Sequence, residues 1–119
     1  SGDRAGGLEV IKEAVAIYRQ LAKDNFGAYG PDLAMSLNNL SVRLGESGDR
    51  AGGLEVIKEA VAIYEQFEEL DFCLVGENLA RSLRRCAQIH KEAELYQVAD
   101  QIEKRLAEVT RRFEAECTF

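Results

Sequence analysis

Eighteen consecutive residues of this 119-residue chain occur twice. SGDRAGGLEVIKEAVAIY fills Ser1–Tyr18 and again Ser47–Tyr64. One block serving two places argues against a single irregular core. A period of 46 residues falls in the range of stacked arrays, where each unit is one supersecondary element and stability comes from contacts between neighbours. The alignment runs on past the identical block. Leu33-Ala34-Met35-Ser36-Leu37 matches Leu79-Ala80-Arg81-Ser82-Leu83, Gly30 matches Gly76, and Phe26 matches Phe72. The chain therefore reads as one domain, 1–119, holding about two and a half copies. These are a lone helix in 1–26, a repeat in 27–72 and a divergent repeat in 73–119.

Each copy holds two helical patterns. In Pro31–Glu46 the leucines 33, 37, 40 and 44 are four, three and four apart, which places them on one helical face. Gly30-Pro31-Asp32 is a plausible start, since proline fits a first turn and aspartate suits the positive end of the helix dipole. Gly45 and Gly48 close that helix, and Asp49 can cap the next. The second pattern, Arg50–Leu70, carries Leu54, Ile57, Val61 and Tyr64 with Val56, Ala60, Ile63 and Phe67 beside them. So wide an apolar stripe suits a helix lying between two neighbours. A strand is excluded because the apolar residues do not alternate.

The last copy has no Gly or Pro after Gly76. Helices are expected at about Glu77–Lys91 and Glu94–Glu116, the latter with Val98, Ile102, Leu106, Val109 and Phe113 on one face. The alternative is one continuous helix across Lys91–Leu95, because Glu94 stands where the preceding copy has Gly48. Such a helix would favour a swapped dimer.

Helix–turn–helix units of this composition resemble tetratricopeptide repeats. The residues that carry the resemblance are Leu37, Leu40, Ser41 and Leu44, then Gly48, then Gly53, Ile57 and Ala60. In the last copy they are Leu83, Cys86, Ala87 and His90, then Tyr96 and Ala99. The basic unit of that family is 34 residues, so this period is similar to the extended type of kinesin light chains. The resemblance implies an all-α fold, a tetratricopeptide-repeat-like α-solenoid of about five helices in antiparallel pairs, wound as a right-handed superhelix. It also implies a protein- or peptide-binding scaffold, part of a longer array, rather than an enzyme. Gly52 and Gly53 depart from the family, and each glycine costs about 0.5–1 kcal/mol in a helix interior. Gly53 is explained by close approach to Ser41. Gly52 and its copy Gly6 have no account in the sequence.

The net charge of −6 argues against general nucleic-acid binding, which needs a basic surface. No apolar run approaches the ~18 residues of a membrane span, and no leader pattern is visible. Three cysteines, Cys73, Cys86 and Cys117, without close spacing read as reduced thiols of a cytoplasmic protein. Cys86 and His90 share a helical face at a spacing two metal ligands could use. They occupy the core slots of Leu40 and Leu44, so the expectation is packing, with no metal, cofactor or catalytic group.

The first helix of each unit lines the concave side in the family. There the residues off the leucine stripe are Met35, Asn38, Asn39 and Val42, then Arg81, Arg84, Arg85 and Gln88. Arginine presents a planar donor fork to carboxylates, so the expectation is a groove for an acidic peptide. The competing reading is a solvated face whose arginines pair with Glu46, Glu77 or a neighbouring acid. Glu65–Asp71 is an acidic run at a helix C-terminus, unfavourable there and read as an exposed loop edge or a contact for a basic partner. The first copy lacks a preceding helix. The edge carrying Leu8, Ile11, Val15 and Tyr18 is therefore the candidate for self-association into a homo-oligomer.

Overall fold

The computed structural model describes residues 2–118, with side chains from residue 7 onward. Five helices follow one another: α1 (Gly2–Asp24), α2 (Phe26–Glu46), α3 (Arg50–Glu68), α4 (Phe72–Glu92) and α5 (Tyr96–Cys117). The all-α expectation holds, with helix pairs joined by connections of one to three residues. The chain divides into two compact units, 1–60 and 61–119, with the division inside α3.

Both helices that follow a leucine-rich start begin five residues earlier than Pro31 and Glu77. The reason is an Asx cap. Asn25 accepts the Ala28 amide at 3.2 Å and Asp71 accepts the Leu74 amide at 3.2 Å, and these caps stand one period apart. They satisfy donors a helix start otherwise leaves open. Pro31 consequently lies inside α2.

In the first unit α2 buries Leu33, Leu37, Leu40 and Leu44, the stripe read from the sequence. The α2–α3 crossing rests on Ser41 and Gly53. The Ser41 hydroxyl donates to the Gly53 carbonyl at 2.8 Å. A Cβ on Gly53 would lie 3.1 Å from the Ser41 carbonyl oxygen, so a side chain there would push the α2 backbone back by a few tenths of an ångström. Gly52 is also explained. Its amide donates to Asp49 Oδ1 at 2.9 Å, and a Cβ there would meet that capping carboxylate at 2.4 Å. Its copy Gly6 lies outside the described side chains. Arg19 of α1 grips Glu59 of α3 through two guanidinium nitrogens.

In the second unit α4 and α5 run antiparallel. Cys73 near the start of α4 is bonded to Cys117 at the end of α5, with Cα atoms 5.4 Å apart. This corrects the reading of three reduced thiols, for Cys86 alone stands outside a disulfide. The spacing gave no signal because the pairing depends on two helices of matched length folding back. The acidic run is exposed at Glu65, Glu69, Leu70 and Asp71, as a loop edge would be, while Glu68 is half-buried. Glu68 pairs with Arg105 and Arg112 of α5, and Arg105 reaches Glu65 at 4.0 Å. Arg112 additionally covers the Phe72 ring at 3.9 Å. These cations offset the unfavourable charge at the end of α3.

The continuous-helix alternative is excluded by a turn at Ala93–Glu94. Glu94 adopts φ +62°, the left-handed conformation that Gly48 adopts at +91° one period earlier. The same bonds close both turns: Asp49 amide to Leu44 carbonyl and Leu95 amide to His90 carbonyl, each 2.8 Å. A non-glycine residue in this region is strained. Glu94→Gly should therefore raise unfolding free energy by about 0.5–1 kcal/mol, read by urea denaturation. A loss of stability would show that the Glu94 side chain contributes more than its backbone costs.

Candidate binding surfaces

On α4 the buried residues Val75, Leu79, Ser82, Leu83, Cys86, Ala87, Ile89 and His90 take up one broad face. What remains is a stripe at Glu77, Arg81, Arg84, Gln88 and Lys91, spaced four, three, four and three. Helical geometry makes these one ridge. Facing it, α5 contributes Glu103, Ala107, Thr110 and Glu114, with Leu106 and Arg111 beside them. Between the two ridges lies an open groove of about 830 Å³, floored by Ala87, Leu106 and Ala107. A smaller hollow of about 360 Å³ continues it past Arg81 toward Gly76 and Phe113.

The charges along the groove are graded. At one end Lys91 is ion-paired with Glu103, and that hydrogen bond raises the lysine pKa above its ordinary value, with Asp100 adding to it. At the other end Arg81 shares the hollow with Glu77 and Glu114. The middle has Arg84 and Arg111 with the neutral Gln88 and Thr110. No ion pair engages Arg81, Arg84 or Arg111 among the described residues. Gln88 donates to Glu92 at 3.2 Å.

Of the expected concave-face residues, Arg81, Arg84 and Gln88 are exposed and Arg85 is half-buried. On α2, Met35, Asn39 and Val42 are exposed, but Asn38 is 9% exposed and belongs to the core side of its helix. The pairing expected at Glu46 is with Arg43, at 2.8 Å, not with the arginines of α4. The wall formed by Thr110 and Arg111 escaped the sequence reading, which had assigned α5 mainly to core. Of that core set Val109 is buried, Ile102, Leu106 and Phe113 are half-buried, and Val98 is 41% exposed. Arg111 next to Arg112 was the available signal, because adjacent residues face different directions.

Cys86 and His90 are both buried. His90 Nδ1 donates to the Cys86 carbonyl at 2.8 Å, which fixes the ring in the core slot its spacing suggested. No group of three or more metal-ligating side chains occurs among the described residues. No helix among them is long and apolar enough to cross a membrane.

The expected edge of α1 is corrected at Val15, which is 5% exposed, while Leu8, Ile11 and Tyr18 are half-buried. Among the described residues the large apolar side chains of α1 most open to solvent are Val10 and Ile17, 65% and 59% exposed. Val15 turns inward because, with Ala22 seven residues on, it forms the buried side of α1.

Residues 33–66 match the family model of the tetratricopeptide repeat. No curated protein and no solved structure matches the chain. The matched window runs from Leu33 of α2 to Gln66 of α3, so it spans the crossing built on Ser41 and Gly53. Repeats of this kind are in general non-enzymatic modules that bind other proteins. Residues 33–66 are thus similar to a tetratricopeptide repeat, in which α2 and α3 supply the two helices.

Proposed function

We propose that this protein is a protein-binding scaffold whose α4–α5 groove takes an acidic peptide segment. The observation that carries the reading is the pair Arg84 and Arg111, both lining one groove with an apolar floor and neither engaged by a carboxylate. A guanidinium offers a bidentate fork to a carboxylate, and Leu106 with Ala87 and Ala107 can bury an apolar side chain beside it. Arg81 extends the donor row. The repeat boundaries 27–72 and 73–119, with membership in a longer array, belong to the same proposal. A cytoplasmic setting would keep Cys73 and Cys117 reduced, so the bridge between them favours an oxidising one.

A fluorescent peptide alternating Glu and Leu serves as the probe. Reversing Arg84 and Arg111 together to Glu should weaken its binding at least ~tenfold, and rising salt should weaken the parent complex. Both side chains are outside the core, so far-UV circular dichroism should be unchanged. Undiminished binding by the double variant would remove the groove from the account. The second reading is self-association through α1, motivated by the exposure of Val10 and Ile17. Light scattering over a hundredfold concentration range separates the two, since a constant monomer mass contradicts the second reading.

A further inference from the structure

The repeat supplies a reference for the α4–α5 groove, because the residues lining it have counterparts 46 positions earlier. Gln88 stands for Val42, Glu103 for Ile57 and Thr110 for Tyr64. Ile57 and Tyr64 are buried, whereas Gln88 is exposed and Glu103 and Thr110 are half-buried. Three apolar positions have become polar at one place, while the floor of Ala87, Leu106 and Ala107 stays apolar. Whatever chain follows α5, an apolar helix laid here would bury the Arg84 and Arg111 guanidiniums without partners, which is costly. The face therefore suits a charged occupant.

The charges also differ along its length. Arg84 and Glu114 line both the groove and the hollow that continues it. On the groove side stand Arg111 and the Lys91–Glu103 pair. On the hollow side stand Glu77 and Arg81. No ion pair engages Glu77 or Glu114 among the described residues. Once a ligand carboxylate occupies Arg84 and Arg111, the hollow keeps both glutamates against Arg81 alone. A second acid placed there would be repelled, and a cation would be held.

We infer that the groove selects an amphipathic helix of a partner protein that carries an acidic residue and, two turns along the same face, a basic one. This rests on the groove reading above and adds the sign of the second charge. The carboxylate takes the forks of Arg84 and Arg111. The basic side chain reaches Glu77 and Glu114 with its stem on Ala80 and Phe113. Arg84 and Glu77 are seven residues apart on α4, about 10 Å by helical rise. A helix lying along α4 matches them at the same interval, and the small residues of the floor admit its ridge.

The probes are three fluorescent peptides on one Leu/Ala helical frame, titrated into the intact oxidised protein at about 50 mM salt and read by anisotropy. The first carries Glu with Gln seven positions away, the second has Lys seven after the Glu, and the third has Lys seven before it. That interval keeps the two peptide charges from pairing with each other. One of the two mixed peptides should bind at least ~threefold tighter than the Glu–Gln peptide, the order reporting the helix direction. In the Glu77→Gln, Glu114→Gln variant that gain should vanish, while the Glu–Gln peptide binds as well or better. Both glutamates are exposed, and unchanged circular dichroism verifies the fold of the variant. Binding of the Glu–Gln peptide with no gain from Lys in either order would overturn this inference and leave the groove reading standing. A gain that survives the glutamine variant would overturn it as well. Absence of binding by all three at about 1 mM would remove both. Self-association abolished by Arg84→Glu with Arg111→Glu would assign the groove to a second copy and overturn the choice of occupant.

Discussion

Ile57→Ala is expected to lower the unfolding free energy by about 3–4 kcal/mol, and Ile11→Ala, the same change in the same sequence, by about 1 kcal/mol. Ile57 is fully buried and Ile11 half-buried. Truncating the first leaves a cavity in a packed interior, while the second loses contacts that water can partly replace. Local propensity cancels between them, because the eighteen residues of the block are identical. Urea unfolding of both variants reads the difference directly, provided the slope with denaturant is unchanged. Equal losses would mean that the two copies share one environment.

Reducing the Cys73–Cys117 bond should have an effect of similar size. The bridge closes a segment of 44 residues, for which the loss of unfolded-state entropy corresponds to about 4 kcal/mol. In a chain of this length that is a fall in melting temperature of roughly 15 °C. The Cys73→Ser, Cys117→Ser double variant should match the reduced protein, and reductant should leave the variant unaffected. The loss falls on the α4–α5 hairpin, so the groove beside Arg84 should weaken as a binding site under reducing conditions. A melting temperature unmoved by reductant would show that packing of Val75, Leu79 and Val109 holds the hairpin without the bond.

Much of the fold was legible because repetition and helical spacing are local signals. The leucines of α2 followed from residue type and position alone, and the contact between Gly53 and Ser41 from the resemblance to the repeat family. The misread parts depend on tertiary context. Asn25 and Asp71 cap their helices ahead of the glycines and proline that looked like starts. Glu94 accepts a left-handed conformation because the hairpin bonds around it repeat those around Gly48, which no single-residue preference announces. Asn38 and Val15 fell on the wrong side of their helices, since the face a neighbour covers is wider than the leucine stripe that signals it. Cys73 and Cys117 meet only after α4 and α5 fold together. The arginines of α4 were identified from the sequence, but their groove needed α5 to supply Thr110 and Arg111.

The most direct test of the central claim is an amide chemical-shift titration of the oxidised protein with the acidic Glu-Leu peptide. The groove account predicts saturable shifts concentrated at Arg84, Gln88, Thr110 and Arg111, and their loss in the Arg84→Glu, Arg111→Glu variant. Shifts confined to α1 and α2, or none at peptide excess, would contradict it.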